Sequence, residues 1–185
     1  LAIKGFSVNL YNRTEGKIKA LIDDPRVALS GSEEGTGLLN IVTSNLEEAL
    51  RGTDIIMVTT PATAHYSLAK QMAPFLEDGQ IIVLNPGRTG GALEVYETIR
   101  SSGCTRDVVV AEAQTFIYAC RAIGPKSARI FSVKNEVALA AIPALHTKRV
   151  IRLLSGAYPQ FAPAKNVMET SLNNFGAIFH PAPTL

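Results

Sequence analysis

Gln80-Ile-Ile-Val-Leu-Asn85, followed by Pro86-Gly-Arg-Thr-Gly-Gly91, is an apolar run that stops at a polar, glycine-rich loop. Such a run has no polar face, so it suits a strand covered on both sides, as in a parallel sheet. Asp54-Ile-Ile-Met-Val-Thr59 upstream and Asp107-Val-Val-Val-Ala-Glu112 downstream have the same form. Helical signals separate them. Pro61 suits the first turn of a helix running to about Met72, and Ala92 opens another that runs to about Ser101. Strands alternating with helices at this spacing predict an α/β fold with a doubly wound parallel sheet, whose ligands sit at the carboxyl ends of the strands.

Working outward, Ser7-Val-Asn-Leu-Tyr11 is a short β run, and Thr14 can cap a helix from Glu15 to Asp23. Val27 to Leu29 and Leu39 to Thr43 flank Gly31, Gly35 and Gly37, which suggests a hairpin-like insertion or an exposed surface loop. Ser44-x-x-Glu47 has the form of a capping box before the short helix ending at Leu50. Thr115 to Cys120 and Ala128 to Val133 read as strands, Glu136 to Leu154 as mainly helical with Pro143 interrupting it, and Tyr158 to Pro163 as a linker.

Asn166-x-x-Glu169 opens a final helix. At 3.6 residues per turn Met168, Leu172, Phe175 and Phe179 share an apolar face, while Glu169, Asn173, Gly176 and His180 form a polar stripe beside it. Gly176 costs about 1 kcal/mol relative to Ala in a helix, which suggests a close approach to its backbone. Pro181 leaves His180 at the carboxyl end of the helix. An imidazole there suits acid/base work, and a hydrogen-bonded core histidine is the alternative reading.

The chain has 46% hydrophobic and 18% charged residues, proportions that support a globular core. Its 18 basic and 16 acidic residues are scattered, without a basic run, which argues against nucleic-acid binding. The longest apolar run, Val137 to Leu145, is too short to span a bilayer and carries Pro143, so no membrane segment is expected. Cys104 and Cys120 have no metal-ligand spacing to His65, His146 or His180; no metal site and a reduced, cytoplasmic setting are the simpler reading. Leu1-Ala-Ile-Lys-Gly5 reads as the last turn of a helix with Gly5 at its C-cap, and a longer protein truncated at both ends is expected.

The polar loops that end the strands hold the candidate ligand residues: Asn12-Arg13-Thr14, Thr59-Thr60-Pro61, Asn85-Pro86-Gly87-Arg88 and Glu112-Ala113-Gln114-Thr115. In a Rossmann unit the second strand ends at the adenosine ribose, and Asn12, Arg13 and Thr14 fall there if the first strand and glycine loop lie upstream. An amide, a guanidinium and a hydroxyl suit a 2′-phosphate, so NADP(H) is favoured over NAD(H); a β-turn with a solvated arginine accounts for the same residues.

The ordered set Thr60-Pro61-Ala62-x-x-His65, Asn85-Pro86-Gly87-Arg88, Glu112-Ala113-Gln114-Thr115 with Tyr118-Ala-Cys120-Arg121, and Asn173-Asn174 before His180-Pro181-Ala-Pro183 resembles the opine dehydrogenase (octopine/nopaline dehydrogenase) family. The resemblance implies a Rossmann-like NAD(P)-binding domain over residues 1–164, lacking its first strand and glycine loop, and the start of an all-helical domain over residues 165–185. It implies an oxidoreductase that uses NAD(P)H to reduce the imine formed between an amino acid and a 2-oxo acid. His180 matches the family's catalytic histidine, whose aspartate partner is not in this sequence. By the same matching Thr60, Pro61, Ala62, Asn85 and Gly87 join Asn12, Arg13 and Thr14 as cofactor-binding candidates. Arg88, Gln114, Cys120 and Asn173 are substrate-binding candidates, although a turn explains Arg88 and a buried apolar role explains Cys120. No role is assigned to His65 or His146. The chain by itself is expected to be inactive, and oligomeric state is left open, with a homodimer as the candidate assembly. Two other readings stand beside this one: a ketopantoate reductase or glycerol-3-phosphate dehydrogenase relative, and a dinucleotide-binding module without catalysis.

Overall fold

A computed structural model of the chain describes residues 1–173. The chain forms two compact units, Leu1–Arg51 with Ile117–Lys134, and Gly52–Phe116 with the chain from Asn135 onward. The fold is mixed α/β with parallel strands, as the alternating pattern predicts. Among the described residues no helix is long and apolar enough to cross a membrane.

The first unit contains two sheets. Strands β1 (Asn9–Tyr11) and β4 (Ile41–Thr43) pair in parallel, and helices α1 (Glu15–Asp23) and α2 (Leu46–Leu50) pack on them. The segment between β1 and β4 contains a hairpin, β2 (Arg26–Gly31) antiparallel to β3 (Gly35–Leu38), but its second strand is the glycine-rich stretch read as the turn, and Ile41–Thr43, expected as that strand, pairs with β1 instead. It is completed by a second hairpin from later in the chain, β8 (Tyr118–Gly124) and β9 (Ser127–Val133), giving the order β3-β2-β9-β8 with β2 and β9 parallel. Asp24, just past α1, takes Arg26 at 2.7 Å and also Lys126 in the β8–β9 turn. Hydrogen bonds from these two cations hold its carboxyl well below the usual carboxylate range. The Ala2–Lys4 turn lies on β3, with Gly5 in the left-handed region as its C-cap.

The second unit is built on the five-stranded sheet β11-β10-β7-β6-β5. Strands β5 (Ile55–Val58), β6 (Ile81–Leu84) and β7 (Val109–Ala113) are parallel, as their apolar runs predict. Ile82 and Val83 are both fully buried although consecutive side chains point to opposite faces, so both faces of β6 are covered. Each such side chain contributes about 1.5–3 kcal/mol by leaving water. Helices α3 (His65–Met72), α4 (Gly91–Ser101) and α5 (Thr147–Leu154) pack within this unit, α4 burying Ala92, Val95 and Ile99 at helical spacing.

The structure departs from the sequence reading elsewhere as well. Val137–Ile142, expected to be helical, is strand β10, which runs antiparallel to β7, so the sheet is not parallel throughout. Phe161–Pro163, expected within a linker, is strand β11 beside β10. The cap of α2 is Asn45 rather than Ser44, its side chain accepting the Glu48 N–H at 3.3 Å. On the last described helix, α6 (Val167–Leu172), Asn166 is the N-cap as expected, but Glu169 accepts from the Lys165 N–H rather than closing the box on Asn166. The face of α6 is also reversed. Met168 and Leu172 are 48% and 67% exposed, while Val167, Thr170 and Ser171 are buried.

Gly31 has φ +99°, and a Cβ there would lie 2.1 Å from the Ile130 carbonyl oxygen of the neighbouring strand. Gly31→Ala is therefore expected to lower stability by about 1–3 kcal/mol, read from denaturant midpoints. An unchanged midpoint would show that the β2–β9 junction tolerates a side chain.

Candidate functional site

The Asn85 N–H donates to the Val58 carbonyl at 2.8 Å, which registers the carboxyl ends of β5 and β6. From there the chain runs through Thr60 and Pro61 into a short 3-10 turn, Ala62–Ala64, and then into α3. Among the described residues, buried Thr60 Oγ1, Asn85 Oδ1 and both ring nitrogens of His65 make no hydrogen bond of normal geometry. Asn85 is 9% and His65 only 1% exposed. A buried polar atom left without a partner costs about 1–3 kcal/mol, so a group of them at parallel strand ends is suited to a ligand that completes their bonding.

Burial pushes the His65 imidazolium below its usual pKa; the Glu94 charge and the Thr60 backbone favour the charged form but do not outweigh burial. Burial thus favours the neutral imidazole. Its ring lies against the first turn of α4, where a Cβ on Gly91 would come 3.1 Å from Nδ1. Glycine at position 91 lets the ring and the helix meet.

The loop from Asn85 to Gly91 resembles a phosphate cradle at a helix N-terminus, but the protein fills that position itself. Glu112, fully buried in β7, accepts the Ala92 N–H at 2.8 Å, the Thr170 hydroxyl at 2.7 Å and the Ser171 hydroxyl at 2.6 Å. Ser171 Oγ in turn accepts the Gly90 N–H at 3.1 Å. Helix α4 has no cap from its own Gly90, so a strand carboxylate and an α6 hydroxyl satisfy its first N–H groups. Gly87 makes room for this arrangement, because a Cβ there would lie 2.4 Å from Glu112 Oε2. Burial raises the Glu112 pKa above the usual carboxylate value, although its three donors favour the charged form.

The expected site residues are distributed as follows. In the first unit, Asn12 uses Oδ1 to accept the Thr14 N–H at 2.9 Å, a local turn that leads into α1. Arg13 is exposed and in no ion pair among the described residues, and the Thr14 side chain makes no cap bond. Cys120 is exposed on β8, not buried. In the second unit, Pro61 and Ala62 are exposed. Arg88 has φ 63°, and its guanidinium lies 5.7 Å from the Phe116 ring centre. Gln114 Nε2 donates to the carbonyl of exposed Asn173. His180 lies outside the described residues. Sequence reading named His65 and Glu112 without giving either a role and did not single out Thr170 or Ser171; the available signal was a lone carboxylate ending the apolar run Val108 to Ala111.

Glu112 and His65 give opposite pH trends. Because the folded pKa of Glu112 is raised, its contribution to stability is fully present below the ordinary value of 4.5 and is lost as pH rises through the folded value. Because that of His65 is lowered, stability falls as pH drops below its ordinary 6.5. Denaturation of the wild type and Glu112→Gln between pH 4.5 and 8 should show the wild type losing ground to the variant as pH rises. A constant difference would contradict a buried, ionising Glu112.

No protein-family model matches the chain. The chain is 33% identical to an opine dehydrogenase from Arthrobacter sp. strain 1C over 186 residues, covering all of this chain and 52% of that protein. Its fold matches an octopine dehydrogenase solved with NADH and L-arginine at a TM-score of 0.78, with 23% identity over 98% of this chain and 48% of that one. It also matches an NADP+-bound yersinopine dehydrogenase at 0.77, with 19% identity over 97% and 48%. The chain thus spans about half the length of the relatives it matches. Over its own whole length the chain is thus similar in sequence to about half of an opine dehydrogenase, and its fold is like that of the matching half of an octopine dehydrogenase.

Proposed function

We propose that this chain is the dinucleotide-binding part of an NAD(P)H-dependent opine dehydrogenase that reduces the imine formed between an amino acid and a 2-oxo acid. The observation that carries this reading is the group of unpartnered buried polar atoms on Thr60, His65 and Asn85 at the carboxyl ends of β5 and β6. Their chemistry fits the hydroxyls and amide of a nicotinamide dinucleotide. Thr60, Asn85 and the Gly87 backbone are assigned to cofactor binding, with Pro61 and Ala62 shaping the turn beside them. Asn12, Arg13 and Thr14 are assigned to the adenosine ribose. Arg13, exposed and in no described ion pair, supports a preference for the 2′-phosphate of NADP(H).

The bound dinucleotide supplies a hydride to the imine carbon. His180 is proposed to hold the proton that the resulting secondary amine gains, a task suited to an imidazole near neutrality. Arg88, Gln114 and Asn173 are proposed as substrate-side residues, with Arg88 offering a guanidinium for a carboxylate. The helical domain is proposed to begin at residue 165.

Purified full-length protein carrying His180→Gln should keep its NADPH affinity and lose about 10²–10⁴-fold in kcat for imine reduction. Activity within a few-fold of wild type would remove His180 from the reaction. Arg13→Ala should weaken NADPH binding by about tenfold or more, the scale of one charge-assisted hydrogen bond, and leave NADH almost unchanged. Equal losses for both cofactors, or tighter NADH binding by the wild type, would overturn the assignment to the 2′-phosphate.

A further inference from the structure

In the first unit, Arg121 on edge strand β8 is directly opposite Arg129 on β9. Directly paired residues in an antiparallel ladder share a face, with Cβ atoms about 4.5–5.5 Å apart, and like charges so placed repel. Both arginines are exposed. Two other cations of this sheet are treated differently, since Arg26 and Lys126 converge on Asp24. Among the described residues no carboxylate pairs with Arg121 or Arg129.

The surroundings suit an anion. Ser30 on β2 is opposite Arg129 in the parallel ladder, so Ser30, Arg129 and Arg121 form one row across three strands, about 10 Å from end to end. Phe131, two residues along on the same face and 57% exposed, has its ring centre 5.8 Å from the Arg129 guanidinium. That contact limits the positions open to the guanidinium. A single carboxylate has two oxygens and is satisfied by one planar fork. Two forks and a hydroxyl call for a tetrahedral dianion, which offers more oxygens and more charge.

We propose that the Ser30–Arg129–Arg121 row binds the phosphate group of a small phosphorylated molecule. The site is separate in its residues from those assigned above to the dinucleotide and the imine, so it stands or falls independently of that reading. Occupancy would relieve the repulsion between the two guanidinium groups.

The test measures the melting temperature of the full chain in rising inorganic phosphate, with sodium chloride and sodium acetate at matched ionic strength. Wild type should show a saturable rise of about 2–4 °C specific to phosphate, the shift expected of modest ligand stabilisation at this chain length. Arg121→Glu replaces the repulsion with a cross-strand ion pair. It should melt higher than wild type without phosphate and gain no more from phosphate than from chloride. Arg129→Ser should bind phosphate at least tenfold more weakly by calorimetric titration. The proposal is overturned if wild type responds equally to phosphate and chloride, if acetate matches phosphate, or if both variants keep the wild-type phosphate response.

Discussion

The second unit depends on a carboxylate kept out of water. Transfer of an ionised Glu into an apolar interior is costly unless donors replace its hydration, and Glu112 has three of them, from α4 and α6. Those donors in turn need the carboxylate, because the Ala92 N–H belongs to a helix N-terminus without a side-chain cap of its own. The first N–H groups of α4 and the Glu112 carboxyl of β7 thus satisfy each other. The same requirement decides which face of α6 is buried: two hydroxyls turn inward, and Met168 and Leu172 turn outward.

A helix N-terminus after a glycine-rich loop is commonly an anion site for ligands. Here the Glu112 carboxylate already occupies it. The ligand-seeking atoms lie instead on Thr60, His65 and Asn85, where strand ends meet and the side-chain bonding is incomplete among the described residues. The second unit therefore pairs a fully bonded polar group, which fixes structure, with an incompletely bonded one, which is suited to binding. Charge in the first unit follows a similar division, between neutralised Asp24 and the unpaired Arg121 and Arg129.

Much of this was legible in the sequence. The runs at Ile55, Ile81 and Val109 are apolar on both faces, the signature of strands inside a parallel sheet, and Pro61, Gly5 and Asn166 marked real element ends. Val137-Ala-Leu-Ala-Ala-Ile142 was misread because an alanine-rich apolar run fits a buried helix as well as a strand; pairing with β7, a long-range contact, decides it. Phe161–Pro163 carries too few residues and a proline, so only its neighbour β10 makes it a strand. The strand-end loops were identified from topology, but the partnerships of Glu112 were not, because its hydroxyl donors are 58 and 59 residues away. The roles of His65 and Glu112 come from burial and missing or completed bonds, which no local pattern encodes.

The hairpin β8–β9 is drawn from residues that follow β7 and precede β10, yet it completes the sheet begun by β2 and β3. The first unit is therefore discontinuous in the chain. During synthesis β2 emerges with its β9-facing edge open and stays so until about 100 more residues have followed, a separation comparable to that between Ser32 and the Phe131 carbonyl it bonds. Over that interval β3, β4, α2, β5, α3, β6, α4 and β7 are made, so the parallel strands β5, β6 and β7 of the second unit are complete before β9 exists. Both units thus close late in the chain, the first with β9 and the second with α6, and a cut after Arg51 would release a segment without the strand that closes its sheet.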